Sequence, residues 1–243
     1  MSLRFRPGIV AVLALALVMG LAATASAQDT APPTKAGPEK YIEHDPHWFE
    51  SPRNFSTGFN IGLAFPESND IKDVYGEKGD VLYVLQGGWR FWHEFELHAE
   101  LGYVWFQGRG LDSNGDKTSE KFKIHIAPAD LHLLYRLQYW YDQPIVPFVG
   151  AGGSAVYWFE EQLDSSNKER GINTGYSAQA GVMFLLDKLE KRASGRLERD
   201  YGINNTYFFY QFKYAGLDDF GGDKDKTLDL SYMSHTFGVL FQF

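Results

Sequence analysis

Apolar residues in this chain recur at every second position, in eight separate stretches between Asn54 and Phe243. A repeat of two is that of the β-strand, whose successive side chains point to opposite faces. In the first stretch Phe55, Thr57, Phe59, Ile61, Leu63 and Phe65 share one phase, while Ser56, Gly58, Asn60, Gly62 and Ala64 take the other. The second sets Val81, Tyr83, Leu85, Trp89 and Phe91 against Leu82, Val84, Gln86, Gly88 and Arg90. The third sets Phe95, Leu97, Ala99, Leu101, Tyr103 and Trp105 against Glu96, His98, Glu100, Gly102, Val104 and Phe106. A fourth opens with Phe122, Ile124 and Ile126 and then shifts its apolar phase to Leu131, Leu133, Tyr135, Leu137 and Tyr139; Pro128 between them predicts a bulge. The remaining four run from Val146 to Phe159, Gly175 to Leu186, Thr206 to Tyr214 and Tyr232 to Phe243.

Which face is buried decides between the architectures open to such strands. A soluble β-sandwich or lipocalin-like barrel puts its large apolar residues inside. Here one face carries rows of Phe, Tyr, Leu and Trp, and the other mainly Gly, Ser, Asn, Gln and charges. Lipid outside and a small polar interior fit that division, and an even strand count fits a closed membrane barrel. The connections agree. Pro66–Asp80, Gln107–Lys121, Glu160–Thr174 and Ala215–Ser231 are long and polar, whereas the alternate connections are mostly short turns. Trp89, Trp92, Tyr139, Trp140, Tyr141 and Trp158 fall near strand ends, where an interfacial girdle belongs. The predicted fold is therefore all-β, an eight-stranded antiparallel transmembrane β-barrel.

One connection differs. Between strands 6 and 7, over residues 187–205, Leu186, Leu189, Ala193 and Leu197 recur at helical spacing among Lys188, Lys191, Arg192, Arg196 and Arg199. This predicts a short amphipathic periplasmic helix that closes the lower mouth, lies at the interface or docks a periplasmic partner.

Composition excludes other classes. A mean hydropathy of -0.31 denies a bundle of transmembrane helices but not a barrel, whose strands spend every second residue on the lumen. The formal net charge of -8 argues against a nucleic-acid partner. With no Cys the chain has no disulfide framework. At the N-terminus Arg4 and Arg6 precede an apolar run from Ile9 to Leu21 and then Ala25-Ser26-Ala27, the pattern of a secretory signal peptide over residues 1–27. Pro32, Pro33, Pro38, Pro46 and Pro52 mark residues 28–53 as an extended periplasmic linker, leaving 54–243 for the barrel.

These features together resemble the small eight-stranded outer-membrane barrels of Gram-negative bacteria, the OmpA-like and OmpW-like group. The terminal alternation Phe237, Val239, Phe241, Phe243 is similar to the segment that the barrel-assembly machinery reads in that group. The resemblance implies the cell outer membrane, contact with its lipid and lipopolysaccharide, and assembly by that machinery.

Candidate chemistry lies on the inner face, which is assigned Arg90, Glu96, His98, Glu100, Asp130, His132, Arg136 and Lys213. Three carboxylates and three fixed cations with two His predict a balanced salt-bridge network, since an unpaired charge in a narrow lumen is costly. Pairing of strands 3 and 4 predicts His98 opposite Asp130 and Glu96 opposite His132, with Arg90 and Arg136 at the lower end. An acid–base site or gated ion path is the functional alternative to a structural plug. His93-Glu94 with His98 lacks zinc spacing, and its two His face opposite ways on a strand. Glu43, His44, Asp45 and His47 in the linker read as solvated rather than metal-binding. Ser234 and His235, as neighbours, cannot share the lumen. Asp112, Asn114, Asp116, Asp218, Asp219, Asp223 and Asp225 read as charged loop tips, with divalent-cation binding as the alternative. No catalytic set, cofactor or metal is expected. The favoured function is a structural or surface-interaction barrel with a side-chain-filled lumen. The alternatives are a narrow channel for small hydrophobic solutes and a lipid-modifying enzyme.

Overall fold

The computed structural model describes residues 54–111, 117–140, 143–162, 168–189, 197–198, 200–221 and 228–243. The expected signal segment and linker lie outside them. Eight strands follow in order: β1 (Phe55–Pro66), β2 (Asp80–Arg90), β3 (Phe95–Leu111), β4 (Lys117–Arg136), β5 (Ile145–Gln162), β6 (Lys168–Leu185), β7 (Asn205–Gly216) and β8 (Tyr232–Gln242). A short helix, α1 (Asn69–Tyr75), stands between β1 and β2.

Each strand pairs antiparallel with its sequence neighbour, and β1 pairs with β8 to close the barrel. The closing seam runs from Ser56 opposite Gln242 to Pro66 opposite Tyr232. Phe243 extends it, donating its backbone N–H to Phe55 O at 2.9 Å. Closure leaves no strand edge unpaired, which a sheet in lipid requires because no water is there to satisfy backbone groups.

The outer wall is apolar. Phe59, Leu131 and Phe237 are 46%, 54% and 50% exposed, and they continue into rows along every strand. Two aromatic belts bound this surface. At the end with short turns, Trp89, Phe91, Trp92, Phe95 and Tyr135 form a chain of ring contacts. At the end with long connections the belt includes Tyr83, Tyr103, Trp105, His125, Tyr157 and Phe159. Trp158 is not in either belt: it points inward, and its Nε1 donates to Asn173 Oδ1 at 2.8 Å. Tyr141 lies outside the described residues.

The strands overrun two of the expected loops. β3 and β4 extend to Leu111 and from Lys117, and β5 and β6 to Gln162 and from Lys168. Polar outward residues such as Lys123 and Glu161 hid these extensions, because above the bilayer both faces of a strand meet water.

β4 corrects a second expectation. Its register against β5 is continuous from Phe122 to Arg136, and no bulge occurs at Pro128. Ile124, Ile126, Pro128, Asp130, His132, Leu134 and Arg136 all face inward. The apparent phase change arises because the upper lumen is itself apolar while the outer wall there, at Lys123 and His125, has left the lipid.

The helices also differ from expectation. α1 was unforeseen because only Ile71, Val74 and Tyr75 mark its apolar side, too short a run to show a helical period. Gly76 ends it at φ 91°, a left-handed-side conformation that favours glycine, and donates its N–H to Lys72 O at 2.8 Å. Of the predicted 187–205 helix, residues 190–196 and 199 lie outside the described residues; 197, 198, 200 and 201 are helical and 187–189 form a turn.

Candidate functional site: the barrel interior

Eight strands enclose a space only wide enough for side chains. The inward positions fill it in three layers. The upper layer is apolar, built from Leu82, Val84, Val104, Phe106, Ile124, Ile126, Val156 and Tyr232, with Ile71 of α1 inserted from above. Tyr75 completes this cap, its hydroxyl donating to Glu160 Oε1 at 2.7 Å. Burial and that acceptor hold the Tyr75 phenol well above its ordinary pKa. The lowest layer is apolar on one side, where Leu134, Val146, Phe148, Met183, Leu185, Tyr207, Phe209 and Leu240 cluster. The expected interior of mainly Gly, Ser, Asn, Gln and charges is thus completed by apolar residues: one cluster caps the upper end, a second lines one side of the lower end, and the charges lie between and beside them.

The charged layer is arranged around two carboxylate centres. In the lower one Glu96 forms an ion pair with Arg136, accepts from Ser56 Oγ at 2.9 Å, and lies 3.1 Å from His98 Nδ1. Gly88 makes the room, since a Cβ there would collide with the Glu96 carboxylate. With its amide oxygen turned to the two guanidinium groups, Gln242 accepts from Arg136 Nη1 at 2.8 Å and from Arg90 Nη2. A cation needs the oxygen rather than the NH2.

In the upper centre Lys213 Nζ lies 2.7 Å from Glu100 Oε2 and 2.5 Å from Asp130 Oδ2. Gln211 Nε2 donates to Glu100 Oε1 at 2.9 Å and to Gln179 Oε1 at 2.6 Å. Ser154 donates to Asp130 Oδ1, and Ser177 Oγ stands 2.7 Å from His132 Nε2. His98 links the two centres, with Nε2 3.4 Å from Glu100 Oε1. Each buried carboxylate thus has a cation and at least one further donor, the condition under which a buried charge is tolerated.

All eight residues assigned to the inner face point into the barrel and are buried there. Their cross-strand partners differ from expectation: His98 is opposite His132, Glu100 opposite Asp130, and Glu96 opposite Leu134. The predicted pairing was two residues out because the register shifts between Arg109 and Leu111: Leu111 pairs with Lys117 as a symmetric loop requires, but from Arg109–Lys121 downward every pair is displaced by two. The neutral members, Ser56, Gln179, Gln211, Ser177 and Gln242, were not singled out, although each falls in the inward phase. A gap of about 10 Å³, bounded by Gln86, His98, Arg136, Leu134, Phe148 and Met183, interrupts the packing. That is about the space of a single water.

The weaker candidates separate in space. His93 sits exposed in the β2–β3 turn while His98 is inside. Ser234 is buried in the lumen and His235 faces out. Asp219 Oδ1 accepts from the Thr174 backbone N–H at 2.6 Å and from its hydroxyl at 3.1 Å, tying its loop to β6. Asp112, Asn114, Asp116, Asp223, Asp225 and the linker acids lie outside the described residues.

A closed eight-stranded antiparallel barrel with a lipid-facing wall, two aromatic belts and a side-chain-filled interior defines the class of small outer-membrane β-barrels. The fold is that of the OmpA-like and OmpW-like group, and the apolar wall fits the outer membrane in which such barrels stand. The chain is similar to the outer membrane protein OprG from Pseudomonas aeruginosa, at TM-score 0.56 and 13% identity over 78% of this chain and 95% of that one. It is also similar to Neisserial surface protein A, at TM-score 0.47 and 13% identity over 78% and 97%. The N-terminal β-barrel domain of Pseudomonas aeruginosa OprF aligns at TM-score 0.44 and 16% identity over 78% and 98%. No protein-family model and no curated protein sequence matches the chain.

Proposed function

We propose that this protein is a structural or surface-interaction barrel of the cell outer membrane whose lumen is a plug rather than a path. The observation that carries the reading is the three-layer filling. An apolar cap, a paired charge layer and an apolar cluster on one side of the lower end fill the interior, and the gap at His98 and Arg136 holds only about 10 Å³, the space of about one water. A passage for small hydrophobic solutes would need the cap and the charge layer to part together. An enzymatic role would need Ser177 and His132 to meet a substrate, yet both are buried in the sealed lumen. The reading is therefore non-enzymatic and without cofactor or metal, and the eight lumenal charges act as an internal scaffold.

The surrounding assignments belong to the same reading. Residues 1–27 direct export and 28–53 form a periplasmic linker. Phe237, Val239, Phe241 and Phe243 share the outer face of the closing strand region and serve as the segment taken up by the barrel-assembly machinery. The basic 187–205 connection is the surface for a periplasmic partner. Uptake of small hydrophobic solutes into vesicles carrying the full chain tests the plug. Rates equal to protein-free vesicles are expected; protein-dependent uptake would favour the channel.

A further inference from the structure

The outer wall carries a second charged feature, away from the lumen. Above the upper aromatic belt, five cations point outward from β3, β4 and β6: Arg109, Lys121, Lys123, Lys168 and Arg170. Pairing makes them neighbours. Arg109 is directly opposite Lys121; Lys123 is opposite Glu161, which is in turn opposite Lys168; and Arg170 is opposite Phe159 of the belt. Glu161 is the one carboxylate that β3, β4, β5 or β6 itself turns to this face among the described residues, held by Lys168 Nζ at 2.5 Å. Glu160 and Glu169 belong to the opposite face of the sheet.

Two facts make this cluster more than a solvated rim. Like charges placed directly across a sheet destabilise it, as Arg109 and Lys121 must unless an anion lies between them. The chain as a whole is acidic, at -8, so the cations are concentrated against the overall balance. Height supplies the chemistry of the anion. Immediately below stand Trp105, with Lys123 Nζ 5.4 Å from its ring centroid, and the stacked His125–Phe159 pair at 4.3 Å. Such a belt marks the headgroup level, so the cations sit where lipid phosphates lie. Arg and Lys pair with phosphate as charge-assisted donors, while the aromatic rings beneath offer an apolar wall to acyl chains.

We infer that this face of β3–β6 binds the phosphorylated sugars of a lipopolysaccharide molecule in the outer leaflet. This rests on the outer-membrane reading and adds to it a place and a ligand chemistry distinct from the acidic loop tips.

The test titrates the full chain, folded in detergent micelles, with purified lipopolysaccharide, with the same lipopolysaccharide dephosphorylated, and with phosphatidylglycerol. Tighter binding of the phosphorylated form than of either other lipid is expected, weakening as NaCl is raised. Each cation near a lipid surface contributes about fivefold in affinity. Lys123→Gln with Arg170→Gln should therefore lose roughly twenty-five-fold, while Lys78→Gln, which removes one charge from the β1–β2 connection, should lose none where either single variant of the pair loses about fivefold. Equal affinity for the dephosphorylated lipid or for phosphatidylglycerol overturns the inference, as does equal loss in Lys78→Gln. Should the double variant not fold, salt-independent binding by the wild type overturns it instead. A wild-type chain that does not insert into bilayers overturns the outer-membrane reading and this site together; one that inserts but ignores phosphate overturns this site alone.

Discussion

Glu100 and Asp130 face each other across the β3–β4 pairing and share one cation, Lys213, at 2.7 Å and 2.5 Å. Two carboxylates this close inside a barrel repel unless a charge lies between them. Lys213 is therefore the residue on which the upper charge centre depends. Removing one member of a buried ion network costs about 3–5 kcal/mol, because the other charges stay buried and unpaired. Lys213→Met should lower stability by that order in urea unfolding from lipid vesicles. Adding Glu100→Gln and Asp130→Asn to it should recover most of the loss. A lone Lys213→Met of wild-type stability would show that the network is not structural.

Adjacent glycines give a matched pair on β2. Gly88 faces in and leaves room for the Glu96 carboxylate, whereas a Cβ on outward-facing Gly87 would meet only Ser56 O, at 3.7 Å. Gly88→Ala should cost about 1–3 kcal/mol by displacing Glu96 from Arg136. Gly87→Ala should stay within about 0.5 kcal/mol. Urea midpoints of the two variants check the contrast, and equal midpoints would remove the steric account of Glu96.

The α1 cap should respond to alkaline pH. Burial first, and then the acceptor Glu160, raise the Tyr75 phenol above its unfolded value. For a group raised in the folded state, the stability it contributes is present below the unfolded pKa, near 10, and is lost as pH climbs past it. Protease cleavage within 69–75 should stay slow at neutral pH and quicken in alkali. Tyr75→Phe should cleave somewhat faster at neutral pH, consistent with loss of about 1 kcal/mol, and lose the alkaline dependence. An unchanged alkaline profile in Tyr75→Phe would place the titration elsewhere.

Strand number, strand phase and the inward set of charges were legible because lipid imposes a strict period of two on the outer wall. Legibility failed where that constraint ends. At Ile124 and Ile126 the apolar residues face in rather than out, since the cap needs them and the wall there meets water. The same effect disguised the strand extensions at Lys123 and Glu161. α1 was hidden by its length of one to two turns, and Trp158 by its place near a strand end, where an outward-facing tryptophan would join the membrane girdle. The charge layer's composition could be read from sequence, but its pairing depended on the register shift between Arg109 and Leu111, which no residue pattern there marks.

Single-channel recording of the wild type and of Arg136→Ala in planar bilayers tests the central claim, that the lumen is a plug, most directly. The wild type should show no stepwise conductance. Arg136→Ala, which strips Glu96 of its ion pair, should unfold at markedly lower temperature and change conductance far less than stability. An Arg136→Ala barrel with wild-type thermal stability and a large rise in single-channel conductance would contradict the account.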